Sequence, residues 1–310
     1  MTPKKIIYIF SLILALISLY LLTRPDMPLP SRIVNNFANK TQTLNSSSNL
    51  SIQHIAIIVM ENKPYPAIVG NSEAPFINSL IQKYGLAQNY HAVTNPSLPN
   101  YIALLAGDTY GINSDCQTCF LNKKNLVDQL DRANISWKAY MESMPSSGCF
   151  VGNAATYAQK HNPFIYFNDI KDNPKVCANI VPLSQLATDL KTKNTTPDFI
   201  WITPNLCNDM HDCSVATGDA WLKNEVPIIL NSQAFTKQNS VLFITWDEGD
   251  TLNNRIATLL IGNSVKTGYK SQIFYTHYSL LKTIENLWNL PYLTQQVSQS
   301  ASMLEFFKKG

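Results

Sequence analysis

Ser97 stands in Asn95-Pro96-Ser97-Leu98-Pro99-Asn100-Tyr101, just ahead of the apolar run IALLAG. Pro99 marks where a helix would start, which puts the serine hydroxyl near the positive end of a helix dipole and free backbone N–H groups. Such a place suits a phosphate and lowers the cost of forming an alkoxide. An ordinary N-cap is the commoner role for a serine here, so a nucleophile needs an activator. Three other segments offer one. Glu61 and Asn62 follow HIAIIVM, and Asp247 and Glu248 follow VLFITW. Pro204, Asn205 and the run Asn208-Asp209-Met210-His211-Asp212 follow FIWIT. Carboxylates and amides at the end of an apolar strand are costly unless partnered or bound to a cation. Three such clusters point to one divalent cation with oxygen ligands, its identity open among magnesium, calcium, manganese, iron and zinc. Of five histidines, His54 begins an apolar run and reads as structural. His91 precedes Ser97 by six residues and could reach a substrate, and His161, His211 and His277 stand in polar loops that could supply a proton donor.

Chemistry at strand ends needs strands that end together. Runs at His54–Met60, 135–140, Phe199–Thr203, 241–246 and 256–262 are apolar without alternation, as in a parallel sheet covered on both faces. Helical stretches fall between them at 74–83, 100–105, 183–191, 217–230 and 279–289. In the last, Leu280, Leu281, Ile284, Leu287 and Trp288 share one face. Alternating strands and helices predict an α/β fold with a mostly parallel central sheet, whose ligand site lies beyond the carboxyl ends of the strands. Residues 107–181, with four cysteines and many Asn and Pro, read as an irregular insertion or lid.

The chain has 310 residues, 45% hydrophobic and 15% charged, enough for one sizeable core and unlike a disordered chain. Its net charge of +3 comes from the N-terminus: setting aside Lys4, Lys5 and Arg24 leaves 21 basic residues against 21 acidic. A neutral body without a basic cluster argues against nucleic-acid binding. Seventeen prolines and eleven glycines argue against a coiled coil or helical solenoid.

Lys4-Lys5 precedes the uncharged run 6–22, the pattern of an export signal. Seventeen residues fit a cleaved peptide and also an inner-membrane anchor. Either reading puts the body in the periplasm or outside the cell. Residues 1–24 are read as that signal, 25–50 as a Pro/Asn/Ser/Thr-rich linker, and 51–310 as the catalytic domain. Cys116, Cys119, Cys149, Cys177, Cys207 and Cys213 all lie in the body, an even number that suits disulfides after export. Fifteen pairings are open. The sequence-local set is 116–119, 149–177 and 207–213, with a redox or zinc role for Cys116 and Cys119 as the alternative.

The sequence resembles the acid phosphatase and phospholipase C phosphoesterase family, a branch of the alkaline phosphatase superfamily. The segments that carry the likeness are IVMENKPY at 58–65, APFINSLIQKYG at 74–85, NYHAVTNPSLPNYIALLAG at 89–107, KHNPFIYF at 160–167, TPNLCNDMHDCS at 203–214, ITWDEGD at 244–250 and THYSLLKTIEN at 276–286. In size it is most like compact exported bacterial phosphatases. The resemblance implies an alkaline phosphatase-like fold, Ser97 as nucleophile, and Glu61, Asn62, Asp247 and Glu248 as ligands of one divalent metal. It also implies that Asn100, Asn205, His161, His211, Asp212 and His277 line the pocket; of these, His161 or His211 is expected to protonate the leaving oxygen. One departure stands out: many relatives read His-Pro-Ser where this chain has Asn95-Pro96-Ser97, so another histidine such as His91 or His161 must do that histidine's work. Sulfatase, GxSxG, HExxH and P-loop signatures are absent. The expected activity is phosphate monoester hydrolysis on a small phosphorylated substrate or a phospholipid headgroup. The alternatives are phospholipase C action on phosphodiesters and a non-catalytic module that binds a phosphorylated ligand.

Overall fold

The run HIAIIVM forms β1 (His54–Met60), buried along its whole length in a computed structural model that describes residues 51–249 and 252–309. Full burial requires cover on both faces and partners on both edges. β5 (Phe199–Thr203) and β6 (Ser240–Trp246) supply the edges, each parallel to β1. The signal and linker expected at 1–24 and 25–50 lie outside the described residues.

The remaining strands are β2 (Gly85–His91), β3 (Trp137–Met141), β4 (Ile180–Pro182), β7 (Arg255–Ile261), β8 (Lys270–Ser271) and β9 (Tyr275–Thr276). The sheet order is β4-β3-β5-β1-β6-β7-β2-β8, with β9 also paired to β2. β7 runs antiparallel to both its neighbours, and every other pairing is parallel. The carboxyl ends of β1, β2, β3, β5 and β6 therefore open on one edge. This is the expected α/β fold with a mostly parallel sheet.

Five helices of seven residues or more occur among the described residues: α1 (Pro75–Lys83), α2 (Ser97–Ala106), α3 (Leu126–Arg132), α4 (Val215–Leu230) and α5 (His277–Leu287). All ten residues of α2 are buried, so it runs through the core against α5. It starts at Ser97, three residues earlier than the apolar pattern suggested, and carries Pro99 in its first turn, where a missing N–H costs nothing. The helix expected at 183–191 is a 3₁₀ turn (Leu183–Gln185) followed by one short helical turn (Leu186–Asp189).

β2 was not among the expected strands. Its sequence GLAQNYH is mixed because Gln88 and Asn89 are only half-buried at a register shift between Ala87 and Tyr90. The segment 107–181 is less of an insertion than its composition suggested, since it supplies β3 and the start of β4, on one side of the sheet. The disulfides are Cys116–Cys119, Cys149–Cys177 and Cys207–Cys213, the sequence-local set, so the thiols of Cys116 and Cys119 are not free for zinc or redox chemistry. No helix among the described residues is long and apolar enough to cross a membrane.

Candidate active site

β1 ends at Met60 and delivers Glu61 and Asn62, while β6 ends at Trp246 and delivers Asp247 and Glu248. The two strand ends are tied together. Asp247 N–H donates to the Met60 carbonyl at 2.9 Å, and Asn62 N–H donates to Asp247 Oδ1 at 3.0 Å. Asn62 adopts a left-handed backbone (φ 50°), which turns the chain sharply so that this N–H faces the carboxylate.

Ser97 enters from β2 through the loop 92–96. Asn100 holds that loop: its Oδ1 accepts Val93 and Thr94 N–H, and its amide donates to the carbonyls of Thr94 and Pro96. Ser97 Oγ thereby points between two carboxylates, 3.2 Å from Glu61 Oε2 and 3.4 Å from Glu248 Oε1. Asn95, with its amide nitrogen turned to face its acceptors, donates to the Glu248 carboxylate and to the Gly249 carbonyl.

The third cluster follows β5, in a loop closed by Cys207–Cys213. Glu142, just past β3, organises it by accepting from Asn205 N–H, the Asn208 amide and Trp221 Nε1. Asp209 is fully buried and accepts the His211 N–H at 2.7 Å. His161 comes from the 3₁₀ turn Gln159–His161. Its Nε2 lies 3.2 Å from Glu61 Oε1 and its Nδ1 3.3 Å from Asp209 Oδ2, and its ring stacks on Tyr101. Tyr101 OH donates to Glu61 Oε1 at 2.6 Å.

Electrostatics here are dominated by buried negative charge. Burial, then Asp247 and Asp209, push Glu61 well above the usual carboxylate range. Burial raises Asp209 to about 8 and Asp247 to about 6, and burial followed by Asp247 raises Glu248 to about 8. Burying one unpaired carboxylate costs several kcal/mol, so four around one point need a counter-charge. His161 cannot provide it, because burial and then Lys160 hold it neutral, well below the usual histidine range. Burial acts to lower Lys160, but Asp115 outweighs it and keeps the ammonium charged. That charge is already paired with Asp115 at 2.9 Å.

His161 Nε2, Asp209 Oδ2 and Asp247 Oδ2 are buried without a hydrogen-bond partner. Such orphans are rare in folded proteins and ask for an explanation. Oxygen-rich, electron-pair-bearing and short of positive charge, the donor set fits a divalent cation. Glu61, His161 and His211 also each place one ligand atom within 4.8 Å of the others. His211 Nε2, however, faces the Lys160 ammonium at 3.3 Å, which disfavours a second cation there.

The structure brings together Glu61, Ser97, His161, Asp247 and Glu248, with His211 at the rim, where its Nδ1 bonds Asp212 at 2.7 Å. It places four other candidates differently. Asn100 is spent on the loop before Ser97, as above. Asn205 caps its own turn by accepting from Cys207 and Asn208 N–H. His277 is buried between the Asp247 carbonyl (2.6 Å) and Tyr90 OH (3.2 Å), and burial lowers it to about 4. It therefore stays neutral and supports the Asp247 backbone. His91 bonds the Asn253 carbonyl and Asn89 Oδ1 and stacks on Phe274. Asp115 and Lys160 were given no role from sequence, and Asp209 and Tyr101 entered only as members of their runs. Lys160 and Asp209 do sit inside the quoted segments KHNPF and NDMHD.

The sequence matches the Phosphoesterase family over residues 70–291. The phosphatidylinositol-3-phosphatase of Mycobacterium tuberculosis is 36% identical over 252 residues, covering 80% of this chain and 81% of its own. The chain belongs to the Phosphoesterase family. Its relatives are phosphatases, and phosphoric ester hydrolysis is its activity class. The phosphate-repressible acid phosphatase of Penicillium chrysogenum is 32% identical over 79% of this chain, which spans 61% of that longer protein. Among solved structures, the lipoteichoic acid synthase LtaP of Listeria monocytogenes superposes with a TM-score of 0.58 at 9% identity, over 86% of this chain and 82% of that one. A protein of the alkaline phosphatase superfamily from Vibrio parahaemolyticus gives 0.56 at 12% identity, over 83% and 72%. These two likenesses establish the shared fold.

Proposed function

We propose that this family member hydrolyses phosphate monoesters through Ser97, with one divalent cation held by Glu61, Asn62, Asp247 and Glu248. The observation that carries the reading is the place of Ser97 Oγ, at the first residue of a buried helix and between two buried carboxylates. A cation there supplies charge that favours the Ser97 alkoxide and offsets the phosphoryl oxygens.

Ser97 Oγ passes its proton to the Glu61 carboxylate it donates to and attacks phosphorus in line with the ester oxygen, forming a phosphoserine as the ester P–O bond breaks. The helix-end N–H groups stabilise the equatorial oxygens. His211, partly exposed with its Nδ1 on Asp212, gives a proton from Nε2 to the leaving oxygen once Lys160 Nζ, 3.3 Å from that nitrogen, has turned to the phosphoryl oxygens. His161, buried and neutral, serves instead to hold Glu61 and Asp209 apart. In the second half, water attacks phosphorus and gives a proton to His211, the P–Oγ bond breaks to release phosphate, and Glu61 returns its proton to Ser97 Oγ.

The Mycobacterium relative acts on a phosphoinositide monoester by its name, which supports monoesters over diesters and brings lipid headgroups alongside small phosphorylated compounds as substrates. Three disulfides support an exported protein, and the N-terminal run at 6–22 is its signal or anchor. The test is an acid quench during turnover of p-nitrophenyl phosphate and mapping of the phosphoryl group. Phosphate on the peptide bearing Ser97 is expected. Phosphate on a histidine, or turnover of a choline phosphodiester in preference to the monoester, would overturn the reading.

A further inference from the structure

Asp115 holds the place that this chemistry reserves for a phosphoryl group. Its Oδ1 accepts the Leu98 N–H at 3.0 Å and its Oδ2 accepts from Lys160 Nζ at 2.9 Å. Leu98 directly follows Ser97 in the first turn of α2, so a phosphorus bonded to Ser97 Oγ would bring its oxygens to that same N–H. A carboxylate bridging a backbone donor and an ammonium copies the way two oxygens of a phosphoryl group would bridge them.

The surroundings allow an exchange. Asp115 and Lys160 side chains are 30% and 22% exposed, and with His211 they line a cavity of about 260 Å³. Asp115 belongs to a largely exposed loop that leads into the Cys116–Cys119 disulfide, so its carboxylate can turn to water without disturbing the core. Lys160 has no comparable freedom, since the adjoining His161 is buried and stacked on Tyr101. Lys63, the other lysine close to the site, is committed to the Met210 carbonyl.

We propose that Asp115 is a resident stand-in for phosphate. It neutralises Lys160 and occupies the Leu98 N–H until a substrate displaces it, and Lys160 then binds the phosphoryl oxygens. The inference rests on Ser97 being the nucleophile, because that places the phosphoryl group at Leu98. Affinity is then set by an exchange: a dianion must outcompete a carboxylate of the same protein.

The test is calorimetric titration of inorganic phosphate into the full chain with a divalent cation present. Wild type is compared with Asp115→Asn, Asp115→Ala and Lys160→Met. Asp115→Asn keeps an acceptor for the Leu98 N–H but removes the charge. Both Asp115 variants should bind phosphate more tightly, by about fivefold for a partly exposed pair. KM for p-nitrophenyl phosphate should fall by a similar factor. Lys160→Met should weaken phosphate by tenfold or more, roughly the worth of a charge-assisted bond. If Asp115 only braces the loop, phosphate affinity will be unchanged or weaker in its variants. That result, or unchanged binding in Lys160→Met, overturns the proposal. Loss of the Ser97 assignment reads out separately, as turnover that persists in Ser97→Ala.

Discussion

Ser97 Oγ lies 3.2 Å from Glu61 Oε2, and both side chains are buried, although 36 residues separate them in the chain. A hydroxyl and a carboxylate meet there because β1 and β2 end on the same edge of the sheet and α2 begins directly after the loop that follows β2. The contact is the seed of the site. Around it Asn100 holds the loop before Ser97, Tyr101 holds Glu61, and Asp209, Asp247 and Glu248 add carboxylates.

Tyr101 fixes Glu61. It donates to Oε1 at 2.6 Å while stacking on His161. Tyr101→Phe keeps the stack and deletes the donor. A supporting hydrogen bond behind a metal ligand is typically worth tenfold or more in activity. Turnover of p-nitrophenyl phosphate should drop about tenfold, and the variant should need more added cation for half-maximal rate. Unchanged cation dependence would show that Tyr101 has only a packing role.

Cation binding should be worth more to stability as pH rises. Asp209 and Glu248 are pushed up to about 8 and Asp247 to about 6 in the metal-free fold. Folded values above unfolded ones mean that the folded chain holds protons the unfolded chain has released. The metal-free protein therefore loses stability between about pH 4 and pH 8. A bound cation stabilises the deprotonated set and also adds binding free energy. Melting with and without a divalent cation should show a gap that widens from pH 5 to pH 8. A gap that narrows would place the cation elsewhere.

Glu285 offers the same linkage away from the reacting atoms. It is fully buried on α5, its Oε2 has no partner, and burial raises it to about 7 against about 4.5 when exposed. Its ionisation costs stability as pH climbs from 4.5 through 7. Glu285→Gln should be more stable than wild type at pH 8, on the order of 1 kcal/mol, with the gain vanishing below pH 5. Chemical denaturation at the two pH values measures it. Destabilisation at pH 8 would contradict the sign.

Asp219 on α4 caps a different helix. Ala74, the residue before α1, has no capping side chain, and Asp219 accepts the Phe76 and Ile77 N–H groups at 3.1 and 2.8 Å. Asp219→Ala should cost about 1–2 kcal/mol, the usual worth of an N-cap with a charged acceptor. It should leave KM unaltered, since the site is built from other elements. A change in KM without a change in stability would contradict this assignment.

Sequence legibility followed the physics of each element. β1, β5 and β6 were readable because strands buried on both faces must be apolar throughout. Glu61, Asp247 and Glu248 were readable because carboxylates at such ends stand out against that background. β2 was hidden because a strand near the sheet edge mixes Gln88 and Asn89 into its pattern. Tyr101 looked like one more apolar residue of IALLAG's flank, since nothing local shows that its hydroxyl meets a carboxylate 40 residues away. Asn100 and His277 read as pocket residues, yet their polar atoms hold backbone around Ser97 and Asp247. Residue type announces hydrogen-bonding capacity; only the fold decides whether backbone or substrate uses it.

On the proposed reading, Ser97 is the nucleophile of a cation-assisted phosphomonoesterase. The most direct measurement is hydrolysis of p-nitrophenyl phosphate by the oxidised chain, its chelated form, and Ser97→Ala, from acid to alkaline pH. Wild type should turn over. Chelation should abolish turnover and a divalent cation should restore it. Ser97→Ala should lose at least about a thousandfold while melting as wild type does. Turnover in folded Ser97→Ala within tenfold of wild type would contradict the account.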